Sequence, residues 1–375
     1  MKRNLVTDGE GLIEGSNRGF MSGLHGLRGI AAVAVLMFHW SSFFPAHNAW
    51  IAQWRLPSNP WINPSLLWAV GWQGVYLFFV LSGFLLASQW LEKKPTPKIY
   101  LHYLFRRCLR IFPAYWLQLL SLTVVVFFVP DLFSMPDGWA LFKHIFLWLN
   151  LPPNATAPMV AVWWTLPVEL MFYAVLPVMA FLGQRWSWVA VSILCVLICW
   201  LWRLGVMASL PGQDLSLHLS LIDALPGVLA LFTAGFWAAK AHKQWKQPSK
   251  LALLALVGLI LLETLLIRYV EHFWQAGVLL LVWPTACAFL MAVVVGCMAH
   301  SPPNWLVTTF MMWLGERSYG IYLWHLPVML VISKSAYAQL PGIVVWSFVI
   351  AVTAILAELS YRIIEKKAML YGKSF

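Results

Sequence analysis

The chain has 375 residues, of which 61% are hydrophobic and 10% charged, and its formal net charge at pH 7 is +11. Soluble domains carry about a quarter of their residues as charges, so this composition excludes a large soluble catalytic domain, a secreted disulfide scaffold and a nucleic-acid binder with a solvated basic face. Apolar runs near the ~20 residues that cross a bilayer recur along the chain. We therefore predict an all-α fold, a polytopic transmembrane helical bundle.

The apolar runs predict about ten spans. A shorter apolar piece from Trp139 to Leu151 has the length of an interfacial or re-entrant segment. A β-barrel is disfavoured, because barrel strands of ~10 residues alternate polar and apolar side chains, whereas these runs are apolar on all sides. The predicted spans are 28–44, 66–90, 111–129, 159–182, 188–206, 219–239, 251–268, 275–299, 312–333 and 342–364.

The 25 Lys and Arg residues predict the orientation of the bundle. With a cytosolic N-terminus, twenty of them fall at the inner side and five at the outer side, which favours an N-in/C-in arrangement. We expect one membrane domain over 1–375, with a cytosolic segment 1–27, a bundle over 28–364 and a cytosolic tail 365–375. Attraction to an anionic inner leaflet explains the positive charge without a nucleic-acid partner, and no cleavable signal peptide is apparent.

Three ionisable side chains are predicted near the middle of the membrane, where such groups are costly and often functional. At 1.5 Å of rise per residue, His39 lies about 16 Å above Arg28, and His325 about 20 Å above the inner end of its span. Glu169 lies about 15 Å below the outer face. A histidine and a carboxylate at one depth are the parts of a general base with its orienting partner. Histidines that only hydrogen-bond neighbouring helices are the alternative.

Other polar features are more ambiguous. Glu263 and Asp223 also fall at membrane depth, but pairing with neighbouring helices explains them equally well. At the inner start of the third span, Arg107 and Arg110 are three residues apart on one helix face, where guanidinium forks suit phosphates; positive-inside anchoring is the competing explanation. The tryptophans of the first outer loop indicate an interfacial belt or a platform that stacks a sugar. They are Trp50, Trp54, Trp61, Trp68 and Trp72.

Six motifs follow one another in a fixed order along the chain. They are LHGLRGIAAVAVLMFHW, GVYLFFVLSGFLLA, FRRCLRIFPAYW, WWTLPVELMFYAVLP, SYGIYLWHLPV and ELSYRIIEKK. Together they resemble the integral-membrane acyltransferase family 3, whose members O-acylate cell-surface glycans and some small molecules. The resemblance covers about residues 24 to 367, which is nearly the whole chain.

The resemblance implies roles for particular positions. His25 stands where the family usually has an Asp, and Leu170 stands where a second Glu is frequent, so neither acidic role carries over. The C-terminal hydrolase-like domain of some relatives is not seen, which predicts a standalone form. The matches assign catalytic roles to His39, Glu169 and His325, and substrate-binding roles to Arg28, Arg107, Arg110 and Tyr322.

The implied reaction moves an acyl group, with acetyl expected, from cytosolic acyl-CoA (acetyl-CoA) to a hydroxyl of an extracytoplasmic saccharide, such as a polysaccharide or a lipid-linked glycan, at a bacterial cytoplasmic (inner) membrane. His39 would deprotonate the acceptor directly or carry the acyl group itself, while Glu169 or His325 orients or polarises. Arg28 would help bind the donor or stabilise developing negative charge. No metal is expected, because the five cysteines lack ligand spacing.

Two other classes of function fit the same composition. A proton-coupled transporter or flippase of a saccharide or small molecule would use the buried histidines and carboxylates as a proton relay. Its usual signs, an internal repeat and broken spans in matching halves, are not apparent in the sequence. A sugar-binding partner without catalysis would need the outer tryptophans but not the inner arginines.

Overall fold

The computed structural model describes residues 8–48, 66–90, 96–129, 132–151, 155–269, 273–275 and 277–374, with side chains from residue 22 onward apart from 48, 66, 67 and 88. Within these ranges there are twelve α-helices of eight or more residues and no strand. The all-α prediction is confirmed. The helices are α1 (Asp8–Phe43), α2 (Gly74–Trp90), α3 (Pro97–Phe128), α4 (Gly138–Ile145), α5 (Thr165–Arg185), α6 (Trp188–Ser209), α7 (Leu225–Ala241), α8 (Pro248–Arg268), α9 (Val278–His300), α10 (Thr309–Ser333), α11 (Gly342–Ser360) and α12 (Lys366–Lys373).

Each of the ten predicted spans overlaps one of the long helices. In the described ranges, seven helical stretches are long and apolar enough to cross a membrane. An eighth results if Leu215–Ile222 and Leu225–Gln244, which meet at a 67° bend, form one broken span. The remaining two matches are α2, which is a shorter apolar helix, and α10, which carries Glu316 and Arg317 near its start. The number of crossings and the orientation of the termini stay predictions.

Several helices end at positions that differ from the ends of the predicted spans and segments. Helix α1 already begins at Asp8, so most of the predicted cytosolic segment continues the first span as a helix. At the other end, α11 passes without a break through a π-helical turn, Tyr361–Glu365, into α12, so the predicted tail is helical as well. The apolar piece after Trp139 contains only the eight-residue α4, which is too short to cross a bilayer.

Close helix packing holds the bundle together. Helix α1 packs most extensively against α10, and α2 against α7. Where α2 meets α7, a Cβ atom on Gly83 would collide with the carbonyl group of Phe232, and one on Gly235 would collide with the carbonyl group of Val80. Small residues at such crossings let helix backbones approach closely in lipid, where packing rather than water exclusion drives association.

A buried ion pair fastens the bent segment to its neighbours. Arg203 on α6 and Asp223 at the bend before α7 form an ion pair, and each is only 1% exposed. Arg203 also donates to the carbonyls of Gly227 (2.8 Å) and Leu280 (3.1 Å), and the Tyr76 hydroxyl donates to the Asp223 carboxylate (3.1 Å). These partners satisfy the charges that burial would otherwise penalise. For Asp223, a structural role therefore explains the position in the membrane.

Glu263 also has buried hydrogen-bond partners. Its carboxylate accepts a hydrogen bond from the Gln73 side-chain amide at 2.6 Å and one from the Cys287 thiol at 3.4 Å. All three side chains are buried, and they join α8 and α9 to the turn that precedes α2. Glu263 therefore also has a structural explanation, as the sequence-based alternative proposed.

Candidate active site

A basic cavity of about 450 Å³ opens where α1, α2, α3, α5 and α12 converge. Three of the cavity's arginines lie in the first fourteen residues of helix α3, which precede the predicted apolar span. Thr96 caps this end of the helix, because its hydroxyl oxygen accepts a hydrogen bond from the Ile99 N–H at 3.4 Å. Among the residues that line the cavity there is one acid, Glu169. The basic residues that line it are His25, Arg28, Arg106, Arg107, Arg110, Lys366 and Lys373.

The arginines of this cavity are poor in partners. In the described ranges, Arg28, Arg107 and Arg110 form no ion pair, whereas Arg203 and Arg317 each contact a carboxylate. The guanidinium of Arg107 lies 5.4 Å from the Tyr103 ring centre and 3.4 Å from the Gln89 amide oxygen. The Nε atoms of Arg28 and Arg107 are buried without a hydrogen-bond partner. A buried donor without a hydrogen-bond partner lowers the stability of the fold. An anionic ligand in the cavity would supply partners for these arginines.

A second, smaller cavity of about 40 Å³ continues from the first. Arg28, Ser82 and Glu169 line both cavities and therefore form the neck between them. The Tyr173 hydroxyl and the Ser82 hydroxyl (3.3 Å) both donate to Oε1 of Glu169, and Oε2 has no hydrogen-bond partner among the described residues. The small cavity ends at Tyr322, whose hydroxyl donates to the Val162 carbonyl at 2.8 Å.

One helical turn beyond Tyr322 lies a pair of histidines. Nε2 of His325 is 3.1 Å from Nδ1 of His39, and the centres of the Tyr322 and His325 rings are 6.0 Å apart. The His325 side chain is fully buried, while His39 is half-buried. Because α1 and α10 pack along each other, the two motifs that carry these residues meet although 286 positions separate them.

The hydrogen bonds assign the protons of the two neutral rings. A carbonyl oxygen only accepts, so Nδ1 of His325, 3.1 Å from the Ile321 carbonyl, carries a proton, and its Nε2 accepts from Nδ1–H of His39. Nδ1 of His39 lies 3.0 Å from the Val35 carbonyl, which requires the same arrangement. Nε2 of His39 has no hydrogen-bond partner in the described part of the chain and is not buried. Its lone pair is therefore available as a base or a nucleophile.

The predicted site residues thus form two groups rather than one. Glu169 lies at the neck with Arg28, whereas His39 is eleven residues, or about 16 Å of helix rise, beyond Arg28 on α1. The depths of these side chains in the membrane stay predictions. The Arg28 guanidinium lies 5.6 Å from the Phe78 ring centre. Tyr322 connects the two groups.

Several lining residues were not predicted. Lys366 and Lys373 were assigned to a cytosolic tail, and the sequence signal that identifies them is their position on one face of a short amphipathic helix, seven residues apart. Tyr173, four residues after Glu169, follows from helical spacing. Ser82 has no sequence signal, since nothing local distinguishes it from other small residues of the apolar α2. The outer tryptophans Trp50, Trp54 and Trp61 lie outside the described residues.

Comparison with known proteins decides the family. The family model for the acyltransferase domain matches residues 21–362. This range includes the histidine pair, all residues that line the small cavity, and those that line the basic cavity apart from the four on α12. The chain belongs to this acyltransferase family. No solved structure is significantly similar to it.

The chain is similar to bacterial proteins that are named as O-acetyltransferases. YrhL of Bacillus subtilis (strain 168) is 28% identical over 386 residues, which cover 94% of this chain and 55% of YrhL. Peptidoglycan O-acetyltransferase OatA of Listeria monocytogenes is 26% identical, over 93% of this chain and 56% of OatA. O-acetyltransferase OatA of Staphylococcus aureus (strain NCTC 8325 / PS 47) is 27% identical, over 92% and 57%. The chain thus spans little more than half the length of these relatives.

Proposed function

We propose that this membrane acyltransferase transfers an acyl group, with acetyl expected, from acyl-CoA to a hydroxyl of a cell-wall glycan. The observation that carries the proposal is the basic cavity, whose Arg28, Arg107 and Arg110 form no ion pair among the described residues and which shares Arg28, Ser82 and Glu169 with the small cavity. Tyr322 lines the small cavity, and its ring centre lies 6.0 Å from that of His325. Acyl-CoA has the matching shape: a polyanionic nucleotide at one end, a long neutral arm, and the reactive thioester at the other end.

In the proposal, the acyl-CoA donor is bound through its charged phosphates. Arg107 and Arg110 lie on one face of α3 and line the cavity with Arg28. Their guanidinium groups bind phosphate oxygens through paired, charge-assisted hydrogen bonds. In this proposal the phosphates stay among these arginines, and the neutral arm passes Arg28 and Glu169, which line both cavities.

In the proposal, the acceptor hydroxyl reacts at Nε2 of His39, which has no hydrogen-bond partner among the described residues. In the direct route, the acceptor hydroxyl attacks the thioester carbonyl carbon while Nε2 takes the hydroxyl proton; the C–S bond breaks, and CoA thiolate leaves and takes that proton to become free CoA. In the relay route, Nε2 attacks the thioester carbonyl carbon first, the C–S bond breaks and CoA thiolate leaves. The acceptor oxygen then attacks the acyl-imidazole, the bond from the acyl carbon to Nε2 breaks, and the hydroxyl proton passes to the thiolate to give free CoA. Both routes use the same atom, and in both His325 holds the ring by accepting from Nδ1–H.

The acceptor class comes from the relatives. All three carry O-acetyltransferase in their names, and the names of two also include peptidoglycan. A saccharide hydroxyl needs a general base to attack a thioester, which matches the geometry of His39. We place the acceptor at the end of α1 that follows His39, opposite to the basic cavity, so that donor and acceptor approach from the two sides of the membrane.

The test is acyl transfer by the purified full chain in lipid nanodiscs, supplied with radiolabelled acetyl-CoA and peptidoglycan fragments. We expect label in ester linkage on the glycan and a loss of about 10²- to 10⁴-fold for His39→Ala. We expect normal transfer for His218→Ala, a half-buried histidine that lines neither cavity and whose hydrogen bond among the described residues is to Gln213. Near-normal transfer by His39→Ala would remove the imidazole from the mechanism. In a parallel assay with the protein in sealed vesicles, accumulation of unmodified glycan inside them would instead indicate a transporter.

A further inference from the structure

The C-terminal helix α12 forms one wall of the basic cavity. Four of its residues line the cavity, at positions 366, 369, 370 and 373. This spacing of three, four and seven residues describes a single face of an α-helix. Lys366 and Lys373 lie two turns apart at the ends of this face, with Met369 and Leu370 between them, whereas Lys367 lies off it.

Packing fixes this helix against α3. Gly372 is buried, and a Cβ atom placed on it would lie 3.1 Å from Cδ1 of Leu109 and 3.5 Å from the Cγ atom of Arg106. Across the same contact, the Arg110 guanidinium reaches the Met369 sulfur at 3.9 Å. The π-helical turn makes α12 continuous with the long helix α11. The two lysines are therefore held at the cavity by the fold.

The basic residues of the cavity form a gradient of exposure. Arg106, Lys366 and Lys373 are exposed and form its rim, while Arg107, Arg110 and Arg28 are half-buried farther in. In the described ranges neither lysine forms an ion pair, and the nearby Glu365 carboxylate accepts from the Ser360 hydroxyl at 2.8 Å. The rim therefore offers flexible ammonium groups, and the interior offers rigid guanidinium forks.

We propose that Lys366 and Lys373 bind the 3′-phosphate of the acyl-CoA donor, while the arginines farther in bind its diphosphate. The inference rests on the proposed function and assigns the direction in which the donor lies. Along CoA the order is 3′-phosphate, diphosphate, neutral arm and thioester. Along the protein the order is exposed lysines, half-buried arginines, then Arg28 and Glu169, which line both cavities, and the small cavity with Tyr322. The two orders agree only if the 3′-phosphate lies at the rim.

The phosphates of anionic lipids offer the same chemistry to these lysines, and the experiment separates the two sources. The full chain is reconstituted in nanodiscs of phosphatidylcholine alone, and binding of CoA and of dephospho-CoA, which lacks the 3′-phosphate, is measured by calorimetry. The double variant K366Q/K373Q removes both charges from the cavity face. Lys367→Gln is the matched control, because it removes a neighbouring charge from the same helix without touching the cavity.

We expect K366Q/K373Q to weaken CoA binding about tenfold and to leave dephospho-CoA binding unchanged, and we expect the Lys367→Gln control to bind both ligands as the wild type does. Equal weakening for both ligands, or none for either, would overturn the assignment while leaving the proposed function intact. Wild-type protein that binds neither ligand would overturn both. If the lysines bind lipid phosphates instead, the double variant will bind CoA normally. It will then lose affinity only for phosphatidylglycerol that is included in the discs.

Discussion

Replacing His325 separates its role from that of His39. The fully buried His325 accepts a hydrogen bond from Nδ1–H of His39 at 3.1 Å and donates its own Nδ1–H to the Ile321 carbonyl. In His325→Leu, Nδ1–H of His39 still has the Val35 carbonyl at 3.0 Å, so the tautomer is retained and one hydrogen bond is lost. A net hydrogen bond contributes about 0.5–1.5 kcal/mol, which corresponds to a loss of about 2- to 13-fold in rate.

The comparison with two other variants makes this prediction sharp. His325→Gln places an amide oxygen close to the position of the original Nε2, so it restores the acceptor, and we expect most of the rate to return. His39→Ala removes the base itself and costs about 10²- to 10⁴-fold. The assay is single-turnover acetyl transfer from radiolabelled acetyl-CoA in nanodiscs, with size-exclusion profiles as the folding control. A loss in His325→Leu as large as in His39→Ala would refute the positioning role and make His325 a direct participant.

Three further predictions concern binding and stability. Arg107→Ala should weaken CoA binding at least tenfold, because it removes a charge-assisted phosphate contact; unchanged affinity in calorimetry would return this arginine to an anchoring role. Gly83→Ala should lower the thermal unfolding temperature in detergent, because its Cβ atom would meet the backbone of the facing helix, whereas Gly205→Ala, which meets nothing within 4 Å, should leave it unchanged. Arg203→Met should destabilise by about 3–5 kcal/mol, since it leaves a buried charge unpaired, and adding Asp223→Asn should recover part of that loss; additive effects in the double variant would contradict the pairing.

The fold was predictable because its determinant is local. A run of about twenty apolar residues must become a helix in lipid, since nothing else there satisfies its backbone hydrogen bonds, and all ten predicted spans overlap a helix. The ends were less predictable. Charged residues do not fix where a helix stops, since α1 continues from Arg28 back to Asp8. Likewise, the charges of residues 365–375 predicted a tail, and nothing in them indicated that α12 is a helix whose Gly372 packs on α3.

The site was predictable in its residues but not in its arrangement. Motif order brought His39, His325, Glu169 and the arginines to attention, and the structure joins the two histidines directly. Depth along a helix axis is a single coordinate, however, and it carries no information on which helices are neighbours. For that reason the sequence grouped Glu169 with the histidines, whereas the hydrogen bonds of its carboxylate run to Ser82 and Tyr173.

The Arg203–Asp223 pair bears on how the chain enters the membrane. Each charge alone makes its segment expensive to release into lipid, and the two segments are synthesised only about twenty residues apart. Released one after the other, α6 would expose an arginine to hydrocarbon before its counterion had emerged from the ribosome. We therefore expect α6 and the bent segment to leave the insertion channel together, as a neutral hairpin.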